Sequence, residues 1–207
     1  SGIVYFKVGN QMRYILSLLV LLCVLTTTSQ MQGQTAEELH RKANAYAASG
    51  KHSEAIVLYN KSIETKPTAE AYNDLGISYG SLGQFDNEIP CYQKALDLRP
   101  HYTDALTNLG NAYSSKGQYD KAIESFQASI ERNPDNPNTH YNLAIAFSAT
   151  DEDYKAIGEF RKAIELNPKF VNAHVNLGIV FNKIGEFAKA TDAFKDAIAI
   201  NSDLPDA

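Results

Sequence analysis

Tryptophan is absent from the 207 residues, and only two cysteines occur, Cys23 and Cys91. Cys23 lies in an apolar N-terminal stretch, so the chain beyond it holds one thiol and no internal disulfide. No cation cluster neighbours Cys91 in sequence, and an inert thiol is expected there. Signatures of catalysis are also missing: no nucleophile elbow, no phosphate-cradling glycine loop, no HExxH and no CxxC. Lysine and arginine nowhere cluster, and the formal net charge is −5. The first 33 residues hold Lys7, Arg13 and no acid; setting them aside leaves 17 basic against 24 acidic residues, a charge of −7. Phosphate binding needs clustered cations, so nucleic acid is excluded as a general partner.

Long hydrophobic runs are scarce as well, with one exception near the start. Residues 12–29 read MRYILSLLVLLCVLTTTS: a methionine, an arginine, an apolar run from Ile15 to Leu25, then small polar residues. That run is short of the ~20 residues that span a bilayer. Its layout is that of a secretory signal peptide over 12–33, with cleavage near Ser29 or Gly33. Left uncleaved, it would be the chain's one contact with a membrane. Leu22 stands where a lipoprotein signal needs a small residue before its cysteine, which argues against lipidation at Cys23. Residues 1–11, upstream of Met12, carry no motif and read as a non-native leader. The localisation expected is outside the cytoplasm: periplasmic, envelope-associated or secreted.

What the sequence has in abundance is periodicity. From residue 36 it aligns with itself in windows 36–68, 69–102, 103–136, 137–170 and 171–204, a period of 34 with one window of 33. In the third window, Leu106, Leu109, Gly110 and Tyr113 recur at helical spacing, so one face of a first helix is apolar. Ala122, Ile123, Phe126 and Ile130 draw a second stripe. The eighth position is always small (Ala43, Gly76, Gly110, Ala144, Gly178), which lets helices approach closely. The twentieth is small in four windows of five, and aromatics hold the eleventh and twenty-fourth throughout. Gly50, Gly83, Gly117 and Gly185 fall between the two helices, where a left-handed backbone closes the first. Pro67, Pro100, Pro134 and Pro168 lie beyond the second.

This pattern resembles the tetratricopeptide repeat (TPR) family over residues 36–204. The resemblance implies an all-α, right-handed solenoid of antiparallel helix pairs, a TPR superhelix of five repeats. Departures from the pattern carry expectations of their own. Lys42 replaces leucine on the first helix, as suits a terminal unit with one neighbour. Glu88 replaces the small twentieth residue and Pro90 follows, so the second helix of window two is expected to start late or kink. Asp151-Glu152-Asp153 replaces a glycine turn, and reads as a solvated loop because a calcium loop spreads its ligands over 12 residues. Residues 205–207 align with the start of window three, so the chain reads as a fragment ending just inside a sixth repeat.

No metal or cofactor is expected. His140 and His174, at the fourth position of consecutive windows, stand one repeat apart, ~10 Å at helix-packing distance. That is too far to share a zinc with bonds of ~2.1 Å. His40, His52 and His101 are scattered. Binding has better support. In TPR proteins the face of each first helix opposite the apolar stripe lines a concave groove that holds extended or helical segments. Carried onto this sequence, that face offers Asn73, Asp74, Asp104, Asn108, Asn111, Tyr141, Asn142 and Asn176, with Ile77, Ile145 and Ile179 beside them.

Asn108, Asn142 and Asn176 stand 34 residues apart and resemble the asparagine ladder of O-linked N-acetylglucosamine transferases. An amide can pair with a peptide backbone without reading its side chains. A ladder free for a ligand predicts that alanine at all three positions weakens capture and leaves melting nearly unchanged. The carboxylate clamp of TPR co-chaperones needs cations where this groove has Glu70, Asp74 and Asp104. A neutral to basic protein or peptide segment fits instead. The function implied is a non-catalytic scaffold, with envelope assembly or secretion as a sub-case. The alternatives are the TPR region of a longer enzyme, such as a glycosyltransferase, with its catalytic domain beyond residue 207, and a self-association module stacking through the C-terminal end.

Overall fold

The computed structural model describes residues 35–202. The upstream stretch 1–11, the leader 12–33 and the sixth-repeat start at 205–207 lie outside the described residues. Among the described residues there are ten helices and no strand, in five pairs. They are α1 (Ala36–Ala48) with α2 (His52–Thr65), α3 (Ala69–Ser81) with α4 (Phe85–Leu98), and α5 (Thr103–Ser115) with α6 (Tyr119–Ile130). Then come α7 (Pro137–Ala149) with α8 (Asp153–Leu166) and α9 (Val171–Lys183) with α10 (Phe187–Ser202). The architecture is the all-α solenoid that the periodicity implies.

Each pair is held by an aromatic ring that docks on the small eighth residue. A Cβ added to Gly110 would lie 2.5 Å from Phe126 Cε1; at Gly76 it would lie 2.6 Å from Tyr92 Cε1, and at Gly178 2.7 Å from Phe194 Cε1. The small residue therefore makes room for a ring from the partner helix. Repeats one and four carry Ala43 and Ala144 there, both fully buried. Burying an aromatic side chain contributes about 1.5–3 kcal/mol, whereas glycine inside a helix costs about 1 kcal/mol. The ring wins. Ala55, Ala122 and Ala156, at the twentieth position, are fully buried as well.

The turns inside the pairs share one geometry. The residue after the turn donates its N–H to the carbonyl of the eleventh-position aromatic: Lys51 to Tyr46, Gln84 to Tyr79 and Gln118 to Tyr113 at 2.9 Å, and Glu152 to Phe147 at 2.8 Å. This closure needs a left-handed residue, supplied by Gly50, Gly83, Gly117 and Gly185 at φ 69–82°. Repeat four puts Asp151 there at φ 60°, a conformation that aspartate tolerates better than most residues. The acidic turn is tied down by Lys183 of the next repeat, whose Nζ lies 2.7 Å from Asp151 Oδ1 and 2.9 Å from Asp153 Oδ1.

Two features of repeat two depart from expectation. The helix α4 does not start late: Phe85 occupies the same repeat position as Tyr119, Asp153 and Phe187, and the helix runs on through Pro90 to Leu98. The carbonyl that Pro90 leaves without an N–H belongs to Asp86, and both residues are exposed, so water can serve it. Glu88 fits because the facing residue is Gly80, where a Cβ would lie 2.7 Å from Glu88 Oε1. Tyr92 donates its hydroxyl hydrogen to the same oxygen at 3.2 Å. Burial pushes the Glu88 carboxyl above its usual range, and the Tyr92 hydrogen bond opposes this. Burial, and then the Glu88 charge, push the Cys91 thiol up to about 11, which leaves it inert at neutral pH.

Gly110→Leu is expected to destabilise the fold by about 3 kcal/mol or more, because the Phe126 ring cannot be displaced without opening the pair. Urea unfolding measures it. A carboxyl with a raised native pKa binds more protons folded than unfolded, so its contribution to stability falls as pH rises through that window. Glu88→Gln should therefore raise the urea midpoint at pH 7, with the gain vanishing below the ordinary carboxylate range. An equal gain at both pH values would show that the Glu88 charge is not the cause.

Candidate functional site

Curvature follows from which helices touch. First helices of successive repeats are in contact (α1 with α3, α3 with α5, α5 with α7, α7 with α9). Among the described residues, second helices of successive repeats are not. The stack therefore bends toward the first helices, which form its inner wall. The wall helices α3, α5 and α7 contain no lysine or arginine and carry Glu70, Asp74 and Asp104. Glu70 is paired with Arg99, whose guanidinium also sits 4.7 Å from the Tyr102 ring centroid.

Along the wall, side chains form rungs from repeat to repeat. The Asn108 amide donates to Asn73 Oδ1 at 3.0 Å, and the Asn176 amide to the Tyr141 hydroxyl at 2.8 Å. His40 Nε2 lies 2.8 Å from Asp74 Oδ2 in the same register. Each rung joins the fifth position of one repeat to the sixth of the next. Between repeats three and four the fifth residue is Thr107, whose hydroxyl is engaged by Ser129 at 2.9 Å. Asn142 therefore reaches across to Asn111 Oδ1 at 2.8 Å.

Seven of the eight residues expected in the groove thus take part in hydrogen bonds along the wall, in three groups. Asn73 is buried, 3% exposed, and supports the wall from behind. Asp104 is exposed on the first turn of α5 and takes part in none of the rungs. Tyr141 is half-buried between Phe160 and Phe170, with ring centroids 5.8 and 4.8 Å away. Burial raises its pKa, and the hydrogen bond from Asn176 opposes the rise. The ladder differs from the expectation in one respect: each asparagine amide group already donates to the preceding repeat. Its carbonyl oxygen makes no side-chain hydrogen bond among the described residues.

Sequence reasoning missed two features. His40, read as scattered, is the partner of Asp74. His140 and His174 are buried and engage the carbonyls of Pro134 and Pro168, which end the preceding repeats, at 2.8 and 3.1 Å. The pairing of a fourth-position histidine with the preceding closing proline was the available signal. The ninth-position isoleucines, expected beside the groove residues, are exposed: Ile77 at 42%, Ile145 at 37% and Ile179 at 52%. They stand in line beside the rungs. Among the described residues, no group of His, Cys, Asp and Glu converges to hold a metal, and no helix is long and apolar enough to cross a membrane.

A polar rung with an aliphatic column beside it, on the inner side of stacked helix pairs, defines an interaction solenoid. Tetratricopeptide repeat models match residues 36–68, 69–102, 91–124, 137–170 and 159–192, and a TPR repeat model matches 110–151. The chain belongs to the tetratricopeptide repeat family. It is 30% identical over 79 residues to the mitochondrial import receptor subunit TOM70 of Saccharomyces cerevisiae, a match spanning 38% of this chain and 13% of the receptor. Its fold is similar to MamA (residue 41 to the end) from Desulfovibrio magneticus RS-1, at TM-score 0.79 and 21% identity, covering 84% of this chain and 99% of that one. It is also similar to YrrB, described as a TPR protein with an unusual peptide-binding site, at TM-score 0.73 and 21% identity, covering 86% and 92%.

Because the asparagine amides join repeats, alanine at Asn108, Asn142 or Asn176 is expected to lower stability by about 0.5–1.5 kcal/mol each. This replaces the unchanged melting that a free ladder predicts. Urea unfolding of the single variants decides between the two.

Proposed function

We propose that the chain is a non-catalytic scaffold that holds an extended protein or peptide segment along the wall formed by α3, α5, α7 and α9. One observation carries this reading: Ile77, Ile145 and Ile179 stand exposed in register on the inner face, beside a hydrogen-bonded polar rung. Aliphatic side chains left in water on a concave surface gain from being covered. The neighbouring asparagine carbonyls can accept from a backbone N–H. The rungs fix the wall before a ligand arrives, which lowers the ordering cost of binding. YrrB, with its peptide-binding site, and TOM70, an import receptor, offer support by analogy.

The absence of lysine and arginine from α3, α5 and α7 favours a neutral to basic segment. The reading includes export, resting on the leader over 12–33; the intact mass of protein recovered from outside the cytoplasm should correspond to a chain starting after Ser29 to Gly33.

Twelve-residue peptides selected by display on the wild-type protein provide the direct test. Replacing Ile77, Ile145 and Ile179 together by serine should leave helicity unchanged, cost about 1 kcal/mol or less per site, and weaken the selected peptides about tenfold or more. Equal affinity of the selected peptides for the triple variant would move the binding site off the inner wall.

A further inference from the structure

Two small cavities open on the inner wall, two repeats apart. One, of about 230 Å³, is lined by Asn44, Ala47, Tyr59, Asp74, Ile77 and Ser78. The other, of about 370 Å³, is lined by Asn111, Ser114, Ser115, Phe126, Asn142 and Ile145. They share five repeat positions (ninth, twelfth and twenty-fourth of one unit, sixth and ninth of the next), with Ser78 in the first and Ser115 in the second as the non-equivalent sixth residue. Their chemistry differs where it matters. The first has Asp74 and Tyr59 where the second has Asn142 and Phe126.

The first cavity presents acceptors. Tyr59 donates its hydroxyl hydrogen to Asn44 Oδ1 at 2.6 Å, so its oxygen offers only lone pairs. Burial, and then the charge of Asp74, push the phenol above its usual range and keep that hydrogen in place. Asp74 takes His40 Nε2 on Oδ2 at 2.8 Å and the Asn73 amide on Oδ1 at 3.2 Å. A carboxylate has about four acceptor sites, so two remain. Ser78 is fully buried, and its hydroxyl lies near the Tyr59 phenol without a well-formed hydrogen bond to any partner. Arg41, exposed on α1, does not line the cavity.

We propose that the Asp74 cavity is a subsite for an arginine side chain of the bound segment, and that the Asn142 cavity takes an uncharged side chain of the same segment. This rests on the inner-wall reading above and adds a register to it. A guanidinium brings five donors in a planar fork, which suits a carboxylate, a phenol oxygen and a hydroxyl arranged around one opening. The second cavity is larger, shares five of its six lining positions with the first and has no formal charge, so it serves as an internal control. Two repeats at ~10 Å each separate the subsites, which an extended chain crosses in about six residues.

The probe is N-acetyl-arginine N-methylamide, titrated into the isotopically labelled protein at pH 8, above the ordinary histidine range. N-acetyl-citrulline N-methylamide, equal in shape and uncharged, is the comparison. Saturable amide shifts are expected at Asn44, Ile77 and Ser78 with the arginine probe, and none at Asn111 or Ile145. Affinity should fall about tenfold for the citrulline probe and for Asp74→Asn. Tyr59→Phe, which gives the first cavity the floor of the second, should weaken binding severalfold and reads the site independently if Asp74→Asn misfolds. Equal shifts from both probes, or undiminished affinity in both variants, would overturn the subsite. Display-selected peptides that lose affinity in the isoleucine variant would still stand in that case, so the two failures are distinguishable.

Discussion

A tyrosine or phenylalanine ring from the second helix of each repeat rests on a first-helix residue with little or no side chain, and the rest of the structure depends on that contact. Between Gly110 and Phe126 it leaves no room for even one methyl group. The residues involved are sixteen positions apart, so the contact is local and each repeat can close its own pair. The twentieth-position alanines, fully buried in repeats one, three and four, bring the helices together around the ring. Stacking then merges the pairs, and from Ala122 to Ala193 the buried side chains form one cluster across three repeats.

Because that contact uses the second helices and one stripe of each first helix, the opposite stripe is released from packing. Here it is filled by polar rungs with isoleucines beside them. The rungs are themselves structural: Asn108 to Asn73, Asn176 to Tyr141 and His40 to Asp74 fasten one repeat to the next on the inner side. On the outer side the second helices of successive repeats do not touch, among the described residues. Curvature and polarity of the wall therefore share a cause. The inner helices come close enough for short side chains to bridge them, and short amides bridge without burying the aliphatic groups alongside.

Much of this was legible in the sequence. A period of 34 with small and aromatic residues at set offsets fixes helix number, helix faces and turn positions. Even the turn at Asp151, which lacks glycine, kept its register and its left-handed backbone. What could not be read were partners lying in another repeat. Whether Asn142 meets the fifth or the ninth position of its neighbour depends on the rotation between units and on Thr107 being occupied by Ser129. Period alone specifies neither. The late start expected of α4 is absent for a different reason: propensity prices a lost helix bond without asking whether the orphaned carbonyl faces water. Glu88 looked like a packing defect because its compensation, Gly80, sits eight residues earlier on the facing helix.

The separation of core from wall has a chemical consequence. At the sixth position Asp74, Asn108, Asn142 and Asn176 occupy near-identical backbone settings, and the exchange of a carboxylate for an amide leaves the ring contact behind it untouched. Tyr59 and Phe126 likewise fill one core slot, yet only the tyrosine sends a hydroxyl through to the groove, where it meets Asn44. One atom at the far end of a core side chain can thus change what the inner face accepts without altering how the repeat folds. A solenoid built this way can vary its groove from repeat to repeat. Here the sixth position holds a carboxylate in repeat two and amides in the repeats that follow, so a segment lying along the wall is asked for a different side chain at each end.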